Sequence, residues 1–173
     1  MGRRPVRIKK KERWSTHVFR LFGWHSRVDI VGQQTLDHEA GIFSAVKQND
    51  LPGTLKLIDQ DPQCLTLRDS VGAAPVLVAF LYGHVELGKQ IVLKNRDLAS
   101  LTYNTLDYTG RLSPYEGENI LHIAIVQRRR GLARWLLQHV PELINAETIG
   151  KFFRPSKTCY FGGSPLLFAL SSN

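Results

Sequence analysis

Apolar positions recur along this chain as pairs of short helical stripes. After a turn at Gly117, Ile120, Leu121, Ala124 and Ile125 line one face of a short helix, and Leu132, Leu136 and Leu137 line a second. A pair of helices this short cannot bury its own apolar face and has to stack on neighbours. The pattern does recur. Ile42, Phe43, Ala45 and Val46 are followed by Leu51, Leu55, Leu57 and Ile58, and Val76 to Phe80 by Leu87, Ile91, Val92 and Leu93. Pro165 to Leu170 opens a fourth pair whose second helix does not follow, which is expected to leave Leu166, Leu167, Phe168 and Leu170 partly uncovered. The small Ala of each first helix falls at 45, 79, 124 and 169, in steps of 34, 45 and 45 residues.

The predicted fold class is all-α, an ankyrin-repeat solenoid of about three and a half repeats, because the first step is close to the ~33-residue ankyrin period. Each of the other two steps holds roughly a dozen more residues than that period, which predicts two long fingers on one side of the stack. Punctuation agrees. Pro75 sits where a first helical turn needs no donor, and Gly83 follows that helix at a left-handed exit. The second helix of the first repeat is expected to end near Asp61-Pro62. Residues 1–13 read as a basic, disordered tail, 14–38 as an amphipathic helix and connector, and 39–173 as repeats 1 to 4, the fourth incomplete.

Charge is concentrated rather than spread. The net charge is +8, and seven Lys or Arg stand against Glu12 before residue 14. Lys9, Lys10 and Lys11 lead into Trp14, Val18, Leu21 and Phe22, which fall on one helical face. This segment either caps the open end of the stack or serves as a membrane-surface anchor, a calmodulin target or a nuclear localisation signal. A second basic cluster, Arg128, Arg129 and Arg130 with Arg134, lies at the turn between the helices of the third repeat, where an acidic protein, lipid headgroups or a polyanion would meet it. No stacking platform or reading helix accompanies it, so nucleic acid is not an expected partner.

Catalysis is not expected. Cys64 and Cys159 stand apart, without zinc-site spacing or disulfide density, and are expected as reduced thiols. His122 is expected to hydrogen-bond the repeat turn and His84 to open a helix. No nucleophile, base, metal cluster or cofactor motif stands out. The spacer from Asn95 to Pro114, with Asp97, Tyr103, Asp107 and Tyr108, reads as an exposed finger. The spacer from Asn145 to Gly162 carries Phe152, Phe153, Tyr160 and Phe161, four aromatics that have to pack on the stack or on a partner.

The run Tyr115-Glu116-Gly117 with Leu121-His122-Ile123-Ala124-Ile125, then Gly150-Lys151-Phe152-Phe153, then Tyr160-Phe161-Gly162 with Pro165-Leu166 and Phe168-Ala169, resembles the third and fourth ankyrin repeats of vanilloid-type transient receptor potential channels. That resemblance covers residues 39 to 173. It implies the cytosolic N-terminal portion of a calcium-permeable cation channel subunit, acting in assembly and regulation of a homo- or heterotetramer at the plasma membrane. It also implies that Phe152, Phe153, Tyr160 and Phe161 reach the neighbouring subunit; the alternative is that they fold the finger onto its own helices. Family members that bind ATP use two lysines where this chain has Ala73 and Val78; Tyr115 alone matches, so no cofactor is expected. The chain holds no pore and reads as a fragment; if complete, it is expected to be soluble and cytosolic. A free-standing ankyrin adaptor is the alternative function, and predicts uniform short steps.

Overall fold

The structure, a computed structural model, describes residues 41–104, 112–153 and 162–171. The basic tail, the amphipathic stretch and the start of the first repeat near Glu39 lie outside these residues. Seven α-helices are present among the described residues, and no strand. Four are short inner helices: α1 (Gly41–Lys47), α3 (Pro75–Leu81), α5 (Ile120–Val126) and α7 (Pro165–Ser171). Between them come three ten-residue outer helices, α2 (Leu51–Gln60), α4 (Val85–Lys94) and α6 (Arg130–His139). The fold is all-α, as the period of the apolar pattern requires.

The inner-to-outer turn has one geometry in all three complete hairpins, and the ruler alanines set it. The carbonyls of Ala45, Ala79 and Ala124 each accept from the N–H five residues on, at Asp50, His84 and Arg129, all at 2.9 Å. The next carbonyl accepts from the residue between, and that residue has positive φ: Asn49 at 58°, Gly83 at 81° and Arg128 at 55°. This double bond pattern satisfies the last carbonyls of a helix. The following helix starts at once. In α2, Asp50 caps it by accepting from the Gly53 N–H at 2.9 Å.

Stacking then buries the inner helices. α1 packs on α2 and α3, α3 on α4 and α5, and α5 on α6 and α7. Val76 to Phe80 are all at most 1% exposed, since α3 has a neighbour on each side. Each such side chain contributes about 1.5–3 kcal/mol on burial, so packing outweighs any single cap. The outer helices bury one stripe only, Leu87, Ile91 and Val92 in α4 and Leu132 and Leu136 in α6.

Three expectations are corrected here. Leu93 is 58% exposed and Leu137 38% exposed, so neither is a packing residue. Leu93 lies two residues beyond Ile91, on the far side of the helix from the buried stripe. Phe168 was expected to be partly uncovered and is 1% exposed, because its ring meets His122 of α5 edge-on at 4.7 Å. Leu166, Leu167 and Leu170 are exposed as expected.

After each outer helix the chain makes a five-residue 3-10 turn, at Pro62–Thr66, Arg96–Ser100 and Pro141–Asn145. Each drives an anchor into the core: Leu65, Ala99 and Leu143, all 1% exposed.

Candidate functional site

The two finger bases are fastened to each other through backbone. Gly72, Gly117 and Gly162 stand 45 residues apart, and all three have positive φ, at 84°, 88° and 71°. Around them successive turns exchange hydrogen bonds. Asn104 N–H donates to Gly72 O at 3.1 Å, Tyr103 N–H to Glu118 O at 2.8 Å, and Gly117 N–H to Tyr103 O at 3.1 Å. The next step repeats the arrangement: Ile149 N–H donates to Glu116 O at 2.9 Å, and Phe152 N–H to Pro114 O at 2.9 Å. A Cβ on Gly117 would collide with the Glu147 carbonyl, and one on Gly72 with the Asn104 carbonyl. Glycine is therefore required by close backbone approach as well as by φ.

His122 ties this ladder to the helices. Asn119 caps α5, its Oδ1 accepting from the N–H groups of Leu121 at 3.0 Å and His122 at 3.2 Å. His122 Nδ1 accepts from Asn119 N–H at 3.2 Å, closing a capping box. The other ring nitrogen faces Gly163 O at 3.2 Å. A carbonyl only accepts, so the proton sits on Nε2 and the ring is neutral. Burial holds its pKa down at about 4, against the raising effect of that carbonyl. The expected structural role of His122 is what the geometry displays: it joins one repeat's first helix to the next repeat's turn.

Aromatics pack along the ladder. Tyr103 lies 5.6 Å from Tyr115, and Tyr115 lies 5.0 Å from Phe152, measured between ring centroids. Tyr103 is 0% exposed, which corrects its assignment to an exposed finger. Phe152 is half-buried against Tyr115, in a 3-10 turn it shares with Phe153. Phe152 thus meets a turn residue of its own chain; Tyr160 and Phe161 lie outside the described residues.

Two groups here carry perturbed chemistry. The Tyr103 hydroxyl is buried without a hydrogen-bond partner among the described residues, and burial, then the nearby Glu118 carboxyl, pushes its pKa well up. Burial likewise pushes Glu118 up to about 8. A raised carboxyl pKa means that the folded chain binds the extra proton, so this contribution to stability is present below about pH 4.5 and is lost as pH rises through 8. Glu118→Gln is expected to be more stable than wild type at pH 8 and no more stable at pH 4.5, read by urea midpoints at both values. Equal midpoints for the two proteins at pH 8 would show that Glu118 ionises freely.

The arginine turn is a separate locus. Arg129 Nη1 donates to Gly83 O at 3.4 Å, and the neighbouring Gln127 Nε2 donates to the carbonyls of Phe80 and Leu81 at 3.2 and 3.0 Å. Arg128 and Arg130 are exposed. Lys9, Lys10 and Lys11, the other basic segment, lie outside the described residues. The Gln127 and Arg129 bridges were not legible in sequence; the only signal is their place just past the ruler alanine.

No protein-family model matches the chain, and no curated protein matches it in sequence. Among the described residues no helix is long and apolar enough to cross a membrane, and no three His, Cys, Asp or Glu side chains converge on a metal-sized site.

Proposed function

We propose that this chain is the cytosolic N-terminal ankyrin-repeat portion of a calcium-permeable, vanilloid-type cation channel subunit, and that it acts in subunit assembly and regulation. The observation that carries the reading is the glycine-turn ladder, which fixes the bases of two long connectors side by side at 45-residue steps. A plain ankyrin array has steps of about 33 and no such insertions. Connectors anchored by backbone on both sides are suited to holding a contact surface in place. Under this reading the helix pairs are ankyrin repeats, and the second of the two fingers contacts the adjacent subunit through Phe153, Tyr160 and Phe161. Phe152 supports that finger from beneath through Tyr115.

The test uses two differently tagged copies in one cell, with a photoreactive phenylalanine at position 153 of one. Irradiation is expected to crosslink the tagged copies to each other. Crosslinks only to unrelated proteins would replace subunit assembly with an adaptor role.

A further inference from the structure

One side chain sets the middle step of the ladder apart from the steps on either side of it. The same two-bond bridge recurs at each glycine turn. The N–H groups of Asp69, Tyr103 and Thr148 donate to the carbonyls of Ala73, Glu118 and Gly163, at 3.0, 2.8 and 3.2 Å. In return the N–H groups of Gly72, Gly117 and Gly162 donate to the carbonyls of Asp69, Tyr103 and Thr148, at 3.0, 3.1 and 2.7 Å. The residue after the glycine is buried Ala73 in one step and buried Gly163 in another. In the middle step that place is held by Glu118, so a carboxyl stands where the repeat otherwise has the two smallest residues.

Glu118 is half-buried, and its carboxyl has neither an ion pair nor a hydrogen bond among the described residues. The nearby Tyr103 hydroxyl is fully buried and likewise without a hydrogen-bond partner there. The other ionisable groups on the elements around the bridge are engaged elsewhere or reach water. Asp69 Oδ1 accepts from the N–H groups of Val71 and Ala73 at 2.9 and 2.8 Å, and Arg68 Nη1 donates to Thr102 O at 2.7 Å. His122 is held between Asn119 and Gly163, and Tyr115 packs between Tyr103 and Phe152. Glu116 is half-buried, and Glu147 and Lys151 are exposed. Burial therefore acts on Glu118 unopposed and raises its pKa.

We propose that Glu118 is a proton-controlled latch on the first finger: a protonated carboxyl keeps the Tyr103 bridge closed, and an ionised one opens it while the second finger stays fastened. An ionised carboxyl without a partner has to reach water. Moving residues 117 and 118 outward to hydrate it breaks both bonds of the bridge at once, since the Gly117 N–H and the Glu118 carbonyl are the two groups that hold Tyr103. The second bridge has no such charge to release, because Thr148 and Gly163 stand in place of Tyr103 and Glu118. In the open turn the carboxyl takes its ordinary pKa of 4.5, against about 8 when closed. Opening is thus accompanied by loss of a proton between these values, and the open population rises with pH until it levels off above 8.

The experiment is amide hydrogen exchange on the full chain at pH 6.5 and pH 8, a range above the window in which His122 titrates, with rates corrected for the intrinsic pH dependence of exchange. Protection of the Tyr103 and Gly117 N–H groups is expected to fall by about tenfold between the two pH values. The Thr148 and Gly162 N–H groups, the same two bonds of the second bridge, are the internal reference and are expected to change less than about twofold. Glu118→Gln keeps the size of the side chain and cannot ionise, and Glu118→Ala installs the residue of the preceding step. In both variants the Tyr103 and Gly117 amides are expected to stay equally protected at the two pH values. Unchanged protection of Tyr103 and Gly117 in the wild-type chain would overturn the proposal. So would a parallel loss at both bridges, which would mean the whole chain opens, or a loss at Tyr103 that survives in the two variants.

Discussion

Gly117→Ala is expected to cost about 3–5 kcal/mol, because two penalties add there. The position has φ 88°, which a side chain adopts at about 1–2 kcal/mol. The added Cβ also meets the Glu147 carbonyl and the Thr148 backbone, and neither can rotate away as a side-chain tip would. Relief requires the two turns to part, which breaks the bonds from Ile149 and Gly150 N–H to Glu116 O. Two other glycines separate the causes. Gly162 has φ 71° but no atom close to such a Cβ among the described residues, so Gly162→Ala is expected to carry only the conformational cost of about 1–2 kcal/mol. Gly131, in the first turn of α6, has neither problem, and Gly131→Ala is expected to stabilise by up to about 1 kcal/mol. Chemical denaturation of the three variants gives the order directly. If Gly117→Ala were no worse than Gly162→Ala, the finger bases would not be in contact.

How much of this was legible depends on the length of the signal. The helix pairs announced themselves because apolar residues repeat with helical spacing, and because Pro75 and Gly83 mark boundaries by their own stereochemistry. The 3-10 turns were silent. Each rests on a single deep anchor such as Leu143, too short a stretch to show a period. Tyr103 looked like a finger residue because its neighbours are polar, yet its burial comes from a turn fourteen residues further on, through the bond to Glu118. Leu93 and Leu137 were misread in the opposite direction: hydrophobicity placed them inside, and helical phase placed them outside. Of the residues expected at a contact surface, Phe152 is placed against Tyr115 and the arginines at their turn.

Acid is expected to remove the contribution of His122 to the fold. Its folded pKa of about 4 lies below the ordinary 6.5, so the unfolded chain takes up the proton first. The His122 contribution is therefore full above pH 6.5, falls as pH drops through the window, and has lost about 3 kcal/mol by pH 4, against the opposite trend of Glu118, whose contribution grows as pH falls from 8 to 4.5. His122→Gln keeps a donor for Gly163 O but cannot titrate. It is expected to be less stable than wild type at pH 7 by about 1–3 kcal/mol, through a poorer capping box, and that gap is expected to narrow as pH falls from 6.5 to 4. Urea midpoints across that range read both effects. A wild-type slope that survives in the variant would assign the acid sensitivity to another group.

Amide hydrogen exchange on the whole chain tests the central claim, that the finger bases form one backbone-bonded ladder continuous with the helices. The N–H groups of Tyr103, Gly117, Ile149 and Phe152 donate to partners in neighbouring turns, so they are expected to exchange slowly, together with the amides of α5. Exchange at unstructured rates at these four positions, while α5 stays protected, would contradict it.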